Sequence, residues 1–75
     1  MKVIKNTTIK LPKYIIPLEN CVYSNVIFDE HESHLVAKDC IFIDCNFNDI
    51  STINISGNCI FKNCDFLNIS VFCKF

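Results

Sequence analysis

Residues 39–51 read DCIFIDCNFNDIS, and nineteen positions later residues 58–70 read NCIFKNCDFLNIS. Seven of the thirteen positions are identical, and four others only exchange Asp for Asn. The same shift leads backwards to NCVYSNVIFDE at Asn20 and to MKVIKNTTIKL at Met1. Four rows therefore fill the 75-residue chain. A fixed period that covers a whole chain indicates a solenoid, in which equivalent residues of successive repeats stack.

The rows agree column by column, and each contains a finer unit of five residues. The unit is Asn or Asp, a small or branched apolar residue, any residue, a large apolar residue and any residue. Apolar residues two positions apart share one face of an extended segment, so the fifth residue falls at a corner. Four columns carry the pattern: Val3, Val22, Ile41 and Ile60; Ile4, Tyr23, Phe42 and Phe61; Asn6, Asn25, Asp44 and Asn63; Ile9, Phe28, Phe47 and Phe66.

This five-residue unit resembles the pentapeptide-repeat family, whose chains wind as right-handed, four-sided parallel β-helices. The resemblance implies a large inward residue at the centre of each unit, a small inward residue two positions earlier, and Asp or Asn just before that. The corresponding positions are Phe42, Phe47, Phe61 and Phe66 for the centre; Cys40, Cys45, Cys59 and Cys64 for the small site; and Asp39, Asp44, Asn58 and Asn63 for the polar site.

We therefore expect an all-β fold, a small right-handed parallel β-helix of about four turns with a 19-residue period. It forms a single domain over residues 1–75, in which 1–19 is a divergent N-terminal turn and 58–75 the C-terminal turn. Cys in place of the usual Ala and a turn of nineteen residues depart from the family pattern. The fourth face is irregular and predicts loops, with a coarser β-helix or a twisted sheet as alternatives; it comprises residues 15–18, 34–37 and 53–56.

The composition of the chain predicts the cellular compartment in which the protein is found. No apolar run approaches the roughly 20 residues of a membrane helix, and the lysine-rich first row has no apolar centre typical of a signal peptide. A cytoplasmic location with reduced thiols is therefore expected. Asn, Ile, Lys and Phe supply nearly half of the chain, while Arg, Gln and Trp are absent. This bias is typical of an A/T-rich genome and compatible with a bacteriophage or a low-GC bacterium. If a bacteriophage encodes the chain, the compartment is the host cytoplasm.

The six cysteines and two histidines are the residues most suited to chemistry. The spacing within the pairs Cys40/Cys45 and Cys59/Cys64 is wider than that of most paired zinc ligands. Small buried hydrophobes are therefore favoured over a metal-binding redox site or disulfides. His31 and His34 could hold a metal, but a solvated polar loop is the favoured interpretation. No Gly-rich loop or nucleophile elbow is present. We expect no catalytic residue, metal ligand, cofactor or enzyme activity.

Charge is distributed unevenly along the chain, with most lysines in the first row and most acids in the second and third. Asp29, Glu30 and Glu32 are expected beside Asp49 one turn on, as an acidic ridge. The family resemblance implies a role for it, because some pentapeptide-repeat proteins act on topoisomerases through acidic ridges that occupy phosphate-backbone sites. Direct nucleic-acid binding is not expected, since the chain lacks arginine and carries a net charge of −1.

An apolar stripe is the second candidate surface. The column with Val22, Ile41 and Ile60 lies between two inward columns, so alternation predicts that it points outward. Soluble monomers rarely leave such stripes bare, which makes these residues candidates for partner binding. The β preference of Val and Ile explains the column equally well.

The last row ends in SVFCKF without a polar cap. An uncapped solenoid end exposes strand edges and core to water, so a homodimer through this turn is expected. The candidate self-association residues are Val71, Phe72, Cys73 and Phe75.

Two functions follow from these surfaces. The first is a non-catalytic module, encoded by a phage or bacterium, that blocks a host enzyme by surface or DNA mimicry; enzymes that act on DNA or in defence are the candidate targets. The alternative is a structural or assembly protein that docks or self-associates through the exposed solenoid face and end.

Overall fold

A computed structural model describes residues 1–10, 15–29, 34–48, 50–67 and 69–74 of the chain. Within these ranges the regular secondary structure is β-strand throughout. The strands are β1 (Lys2–Lys10), β2 (Ile15–Glu19), β3 (Cys21–Asp29), β4 (His34–Lys38), β5 (Ile41–Ile43), β6 (Thr52–Ser56), β7 (Ile60–Lys62) and β8 (Ser70–Lys74).

The strands of the described ranges form two four-stranded parallel sheets. Sheet A has the order β1-β3-β5-β7 and sheet B the order β2-β4-β6-β8. The chain alternates between the sheets, and each return to a sheet adds the next strand beside the previous one. This arrangement confirms the expected all-β solenoid, with about three turns of repeat between the first and last strand of each sheet.

Sheet A confirms the 19-residue period residue by residue. Val3 pairs with Val22, Val22 with Ile41, and Ile41 with Ile60. Isolated parallel bridges from Ile27 to Asn46 and from Asn46 to Asp65 continue the same spacing around the adjacent corner. The columns of the sequence are therefore columns of the structure.

Sheet B corrects the prediction for the irregular face. Residues expected in loops form strands β2, β4 and β6, because Leu35, Ala37 and Ile53 alternate inward with the period of an extended strand. The repeat here also shortens to eighteen residues, since His34 pairs with Thr52 and Thr52 with Ser70. Consequently Ile53, and not Asn54, lies opposite Leu35 and is the buried residue of β6.

One inserted glycine restores the common register. Gly57 lies between β6 and β7 with a φ of 67°, so Ser56 pairs eighteen residues back with Lys38 while Ile60 pairs nineteen back with Ile41. A Cβ at Gly57 would collide with the side-chain carboxylate of Asp39. Glycine therefore takes the left-handed corner position that the 19-residue alignment assigns to Asn58.

Two stacks of aromatic rings fill the interior. Tyr23, Phe42 and Phe61 stack with centroid separations of 5.2 and 4.8 Å. The second stack, of Phe28, Phe47 and Phe66, has separations of 4.9 and 5.1 Å, and the two stacks meet edge to face. Like residues thus lie over like residues, as the repeat predicted. The buried core comprises Tyr23, Val26, Phe28, Leu35, Ala37, Cys40, Phe42, Cys45, Phe47, Ile50 and Ile53.

Candidate protein-binding surfaces

The outward face of sheet A carries the predicted apolar stripe. Val3 and Ile60 are 59% and 56% exposed, and Val22 and Ile41 between them are half-buried. Alternation with the buried Tyr23 and Phe42 columns turns these side chains away from the core. Ile43, also half-buried, widens the stripe on its corner side.

The outward face of sheet B has no comparable stripe. Its central column pairs Pro17 with Val36, Val36 with Asn54, and Asn54 with Phe72. The polar Asn54 is exposed and interrupts the apolar column, while Val36 is half-buried. Among the described residues, a continuous outward column of β-branched side chains therefore belongs to sheet A.

The predicted acidic ridge is described only in part. Asp29 is half-buried at the end of β3 and pairs in register with Lys10 of β1, which sets a cation beside it. Glu30, Glu32 and Asp49 lie outside the described residues. The ridge consequently stays a prediction from the sequence.

A different polar surface runs along the corner between the first two faces of each turn. Asn6, Asn25, Asp44 and Asn63 each have a φ between 53° and 56°, a left-handed conformation that Asn and Asp tolerate better than other side chains. The corner bends β1 and β3, which explains how nine-residue strands cover two faces. The sequence marked this column as a repeat position, but alternation of apolar residues gives no signal of its conformation.

Side-chain hydrogen bonds tie successive corners together. The Asn25 amide donates to Asn6 Oδ1 at 3.0 Å, and the Asn63 amide donates to Asp44 Oδ1 at 2.6 Å. Beside this ladder lies an open groove of about 660 Å³. It is lined by Asn25, Asp44, Cys45, Asn46, Asn63, Cys64 and Asp65. Its exposed carboxylates are those of Asp44 and Asp65.

The five cysteines whose side chains are described point into the solenoid. Cys40 and Cys45 are buried, whereas Cys21, Cys59 and Cys64 are half-buried, and all five are free thiols. Cys45 Sγ donates to the carbonyls of Ile43 and Tyr23 at 3.3 and 3.4 Å. Burial raises the pKa of the Cys40 and Cys45 thiols, because the thiolate would lose its hydration. These side chains pack as small hydrophobes, as the repeat indicated.

The described ranges contain neither a side-chain cluster suited to a metal ion nor a membrane-spanning helix. No group of three or more His, Cys, Asp or Glu side chains there is placed to hold a metal ion. His34 Nδ1 lies 2.7 Å from Thr52 Oγ1, and His31 is outside the described residues. The same ranges contain no helix with the length and hydropathy to span a bilayer.

The last turn leaves apolar side chains uncovered. Val71, which continues the inward column of Leu35 and Ile53, is 43% exposed, and the outward Phe72 is 56% exposed. Cys73 lies in β8, but its side chain is not described, and Phe75 is outside the described residues. Two of the four predicted self-association residues are thus seen to be accessible.

No protein-family model, curated protein or solved structure matches this chain. The likeness to pentapeptide-repeat proteins therefore stays a prediction from the sequence. What bears on function is the set of surfaces that the fold presents.

Proposed function

We propose that this chain is a non-catalytic protein-binding module that inhibits a host enzyme by covering part of its surface. It would act in a cytoplasm, that of the host if the chain is phage-encoded. As the resemblance implies, its scaffold would be a right-handed β-helix of about four turns of pentapeptide-repeat type. The observation that carries the proposal is the outward stripe of Val3, Val22, Ile41 and Ile60 on sheet A.

Three properties of the stripe favour a protein partner. Its side chains project from paired strands, so little backbone ordering opposes binding. β-Branched side chains are restricted at χ1 and lose little entropy when a partner immobilises them. Polar residues border it, including the exposed Asp44 and Lys62, which gives the apolar centre and polar rim of a recognition surface.

Mimicry of DNA is a narrower version of the same proposal. It requires a row of carboxylates that a basic protein surface would accept in place of phosphates. Asp44 and Asp65 supply two exposed carboxylates along the groove. The three acids outside the described ranges, Glu30, Glu32 and Asp49, would have to supply the remainder.

A matched pair of valine variants tests the stripe. Val22 and Val36 are half-buried valines on interior strands of the two sheets, and both point outward. Each chain is used to capture proteins from a bacterial lysate. The expected targets bind the wild-type chain and Val36→Lys but do not bind Val22→Lys. Identical capture by the two variants, both folded by circular dichroism, would refute binding through the stripe.

Inhibition is then measured on the captured target. Adding the purified wild-type chain should lower the activity of an enzyme among those targets, and Val22→Lys should not. A target whose activity is unchanged by saturating wild-type chain would leave the module a binding protein without an inhibitory role.

Self-association is the second candidate function, and the exposure of Val71 and Phe72 favours it. A second copy placed against this turn would cover both side chains and pair the outer edges of β7 and β8. Sedimentation equilibrium should show a homodimer for the wild-type chain and for Val3→Lys, which alters the first strand. Val71→Lys should be monomeric because it places a charge in the contact. Open-ended polymers would instead indicate a structural protein, and a wild-type monomer would exclude both.

A further inference from the structure

The charges that border the stripe differ along its length. The adjacent outward column of sheet A pairs Lys5 with Ser24, Ser24 with Ile43, and Ile43 with Lys62. Lys5 and Lys62 are exposed at opposite ends of this column, whereas Ser24 and Ile43 in the middle are half-buried. The outward face of sheet A thus has an apolar centre with a cation at each end on one side.

The spacing of the two lysines follows from the sheet. Their strands are three steps apart, and parallel strands lie about 4.8 Å apart, so the backbone positions of Lys5 and Lys62 are about 14 Å from each other along the column. The stripe itself offers four side chains at the same 4.8 Å repeat. An α-helix presents one side-chain row per turn of about 5.4 Å, close enough for successive turns to contact successive strands.

Asp44 is the one described acid adjoining this column. It follows Ile43 at the corner of the third turn, and its carboxylate accepts a hydrogen bond from the Asn63 amide. An acidic partner residue at the centre of the face would therefore meet a like charge. At the two ends it would meet lysine instead.

We propose that the partner segment bound by sheet A is an amphipathic α-helix with acidic residues at both ends of one flank. Its apolar row would lie along Val3, Val22, Ile41 and Ile60, crossing the strands. Carboxylates eleven residues apart return to the same flank of a helix and lie about 16 Å from each other, close enough for the long side chains of Lys5 and Lys62 to reach both. This inference rests on the proposed protein-binding function and specifies the chemistry of the partner.

The sign of the partner's charge distinguishes two modes of binding. A basic target that normally holds DNA would be repelled by Lys5 and Lys62, with Asp44 at the corner as an attractive charge. An acidic helix is attracted at both ends of the stripe. Sheet A therefore fits recognition of an amphipathic helix, with apolar anchors and flanking charge, better than mimicry of a phosphate backbone.

The test uses a display library of randomised peptides of about 15 residues, the length at which an isolated helix becomes marginally stable. The full chain is the bait, and enriched peptides are measured by fluorescence anisotropy. We expect peptides with apolar residues at helical spacing and acids about eleven residues apart, on one flank of the helix. Val22→Lys should abolish their binding, and Lys5→Glu with Lys62→Glu should weaken it by about tenfold, as two reversed surface charge pairs would. Val36→Lys is the matched control and should leave affinity unchanged.

The possible outcomes distinguish failure of the acidic-helix partner from failure of the stripe as a binding surface. Peptides that need Val22 but are neutral or basic would overturn the acidic helix while leaving the stripe as a binding surface. Peptides unaffected by Val22→Lys, or no enrichment over bait-free selection, would overturn the partner helix and the stripe together. Binding that does not fall with added salt would also contradict the lysine contacts, since exposed ion pairs are screened.

Discussion

At the scale of single residues, the corner asparagines set the shape of each turn. Asn6, Asn25 and Asn63 hold positive φ without the freedom of glycine, and their side chains bond to the neighbouring turn in the process. The Asn or Asp of the repeat is thus a backbone requirement. The sequence pattern shows that Asn or Asp recurs at the corner, and the positive φ at that position explains why.

Asn25 provides a test of this requirement. Replacing it with valine should destabilise the fold by about 1–3 kcal/mol, because a β-branched side chain at positive φ is strained. Asn25→Gly is the matched control and should remain within about 1 kcal/mol of wild type, since glycine adopts this conformation freely. Urea unfolding midpoints measure both. An equal loss of stability in the two variants would mean that the hydrogen bond to Asn6, and not the backbone conformation, accounts for the contribution of Asn25.

The buried thiols predict a pH dependence. Because burial raises the pKa of Cys40 and Cys45 in the folded chain, these thiols stay protonated where the unfolded chain already ionises. Their contribution to stability is full below about pH 8.5, the ordinary thiol pKa, and falls as pH rises above it. The free energy of unfolding, measured by urea titration, should decline with pH in that window. The free energy of unfolding of Cys45→Ala should decline less steeply with pH. Equal slopes for the variant and the wild-type chain would contradict a raised pKa of Cys45 as the cause.

At the scale of elements, sheet A was predictable and sheet B was not. The five-residue unit gives β3, β5 and β7 directly, since large and small apolar residues alternate with the period of a strand. In sheet B the repeat shortens to eighteen residues between β4 and β6, so a constant shift aligns the wrong residues. Pairing with the strand of the previous turn, and not the local pattern, fixes the register there.

The aromatic stacks predict a graded response along the solenoid. Phe47 is buried between Phe28 and Phe66, so Phe47→Ala should cost about 3–5 kcal/mol through a cavity in the stack. Phe66 is half-buried with a ring on one side only among the described stacks, so Phe66→Ala should cost clearly less. Chemical denaturation compares the two. Equal losses would show that the last turn is as well covered as the third.

At the scale of the whole molecule, the stack is asymmetric from one turn to the next. The inward small position holds Lys2 and Thr7 in the first turn, where later turns place cysteine or valine. Pro17 in the outermost strand of sheet B offers no N–H for pairing. Lysine and proline on outer strands limit edge-to-edge association. The last turn also carries lysines, Lys62 and Lys74, but it has no proline in its strands and leaves Val71 exposed, which is why association is proposed there.

The dimer, if it forms through the last turn, predicts a melting temperature that depends on concentration. Mass action stabilises an assembled state as protein concentration rises, so thermal unfolding of the wild-type chain should shift upward. Val71→Lys should melt at one temperature at every concentration. A wild-type melting temperature that is independent of concentration would contradict a dimer coupled to folding.

The sequence by itself determined the solenoid, its period and the inward columns of sheet A, because identical residues at a fixed spacing can pack only on their counterparts in the next turn. It also indicated the outward stripe, since alternation leaves Val22 and Ile41 no place in the core. Only the tertiary structure decided the strands of sheet B, the role of Gly57 and the neighbours of each charge. Those depend on contacts between turns, where backbone pairing and corner geometry outweigh the pattern within any one row.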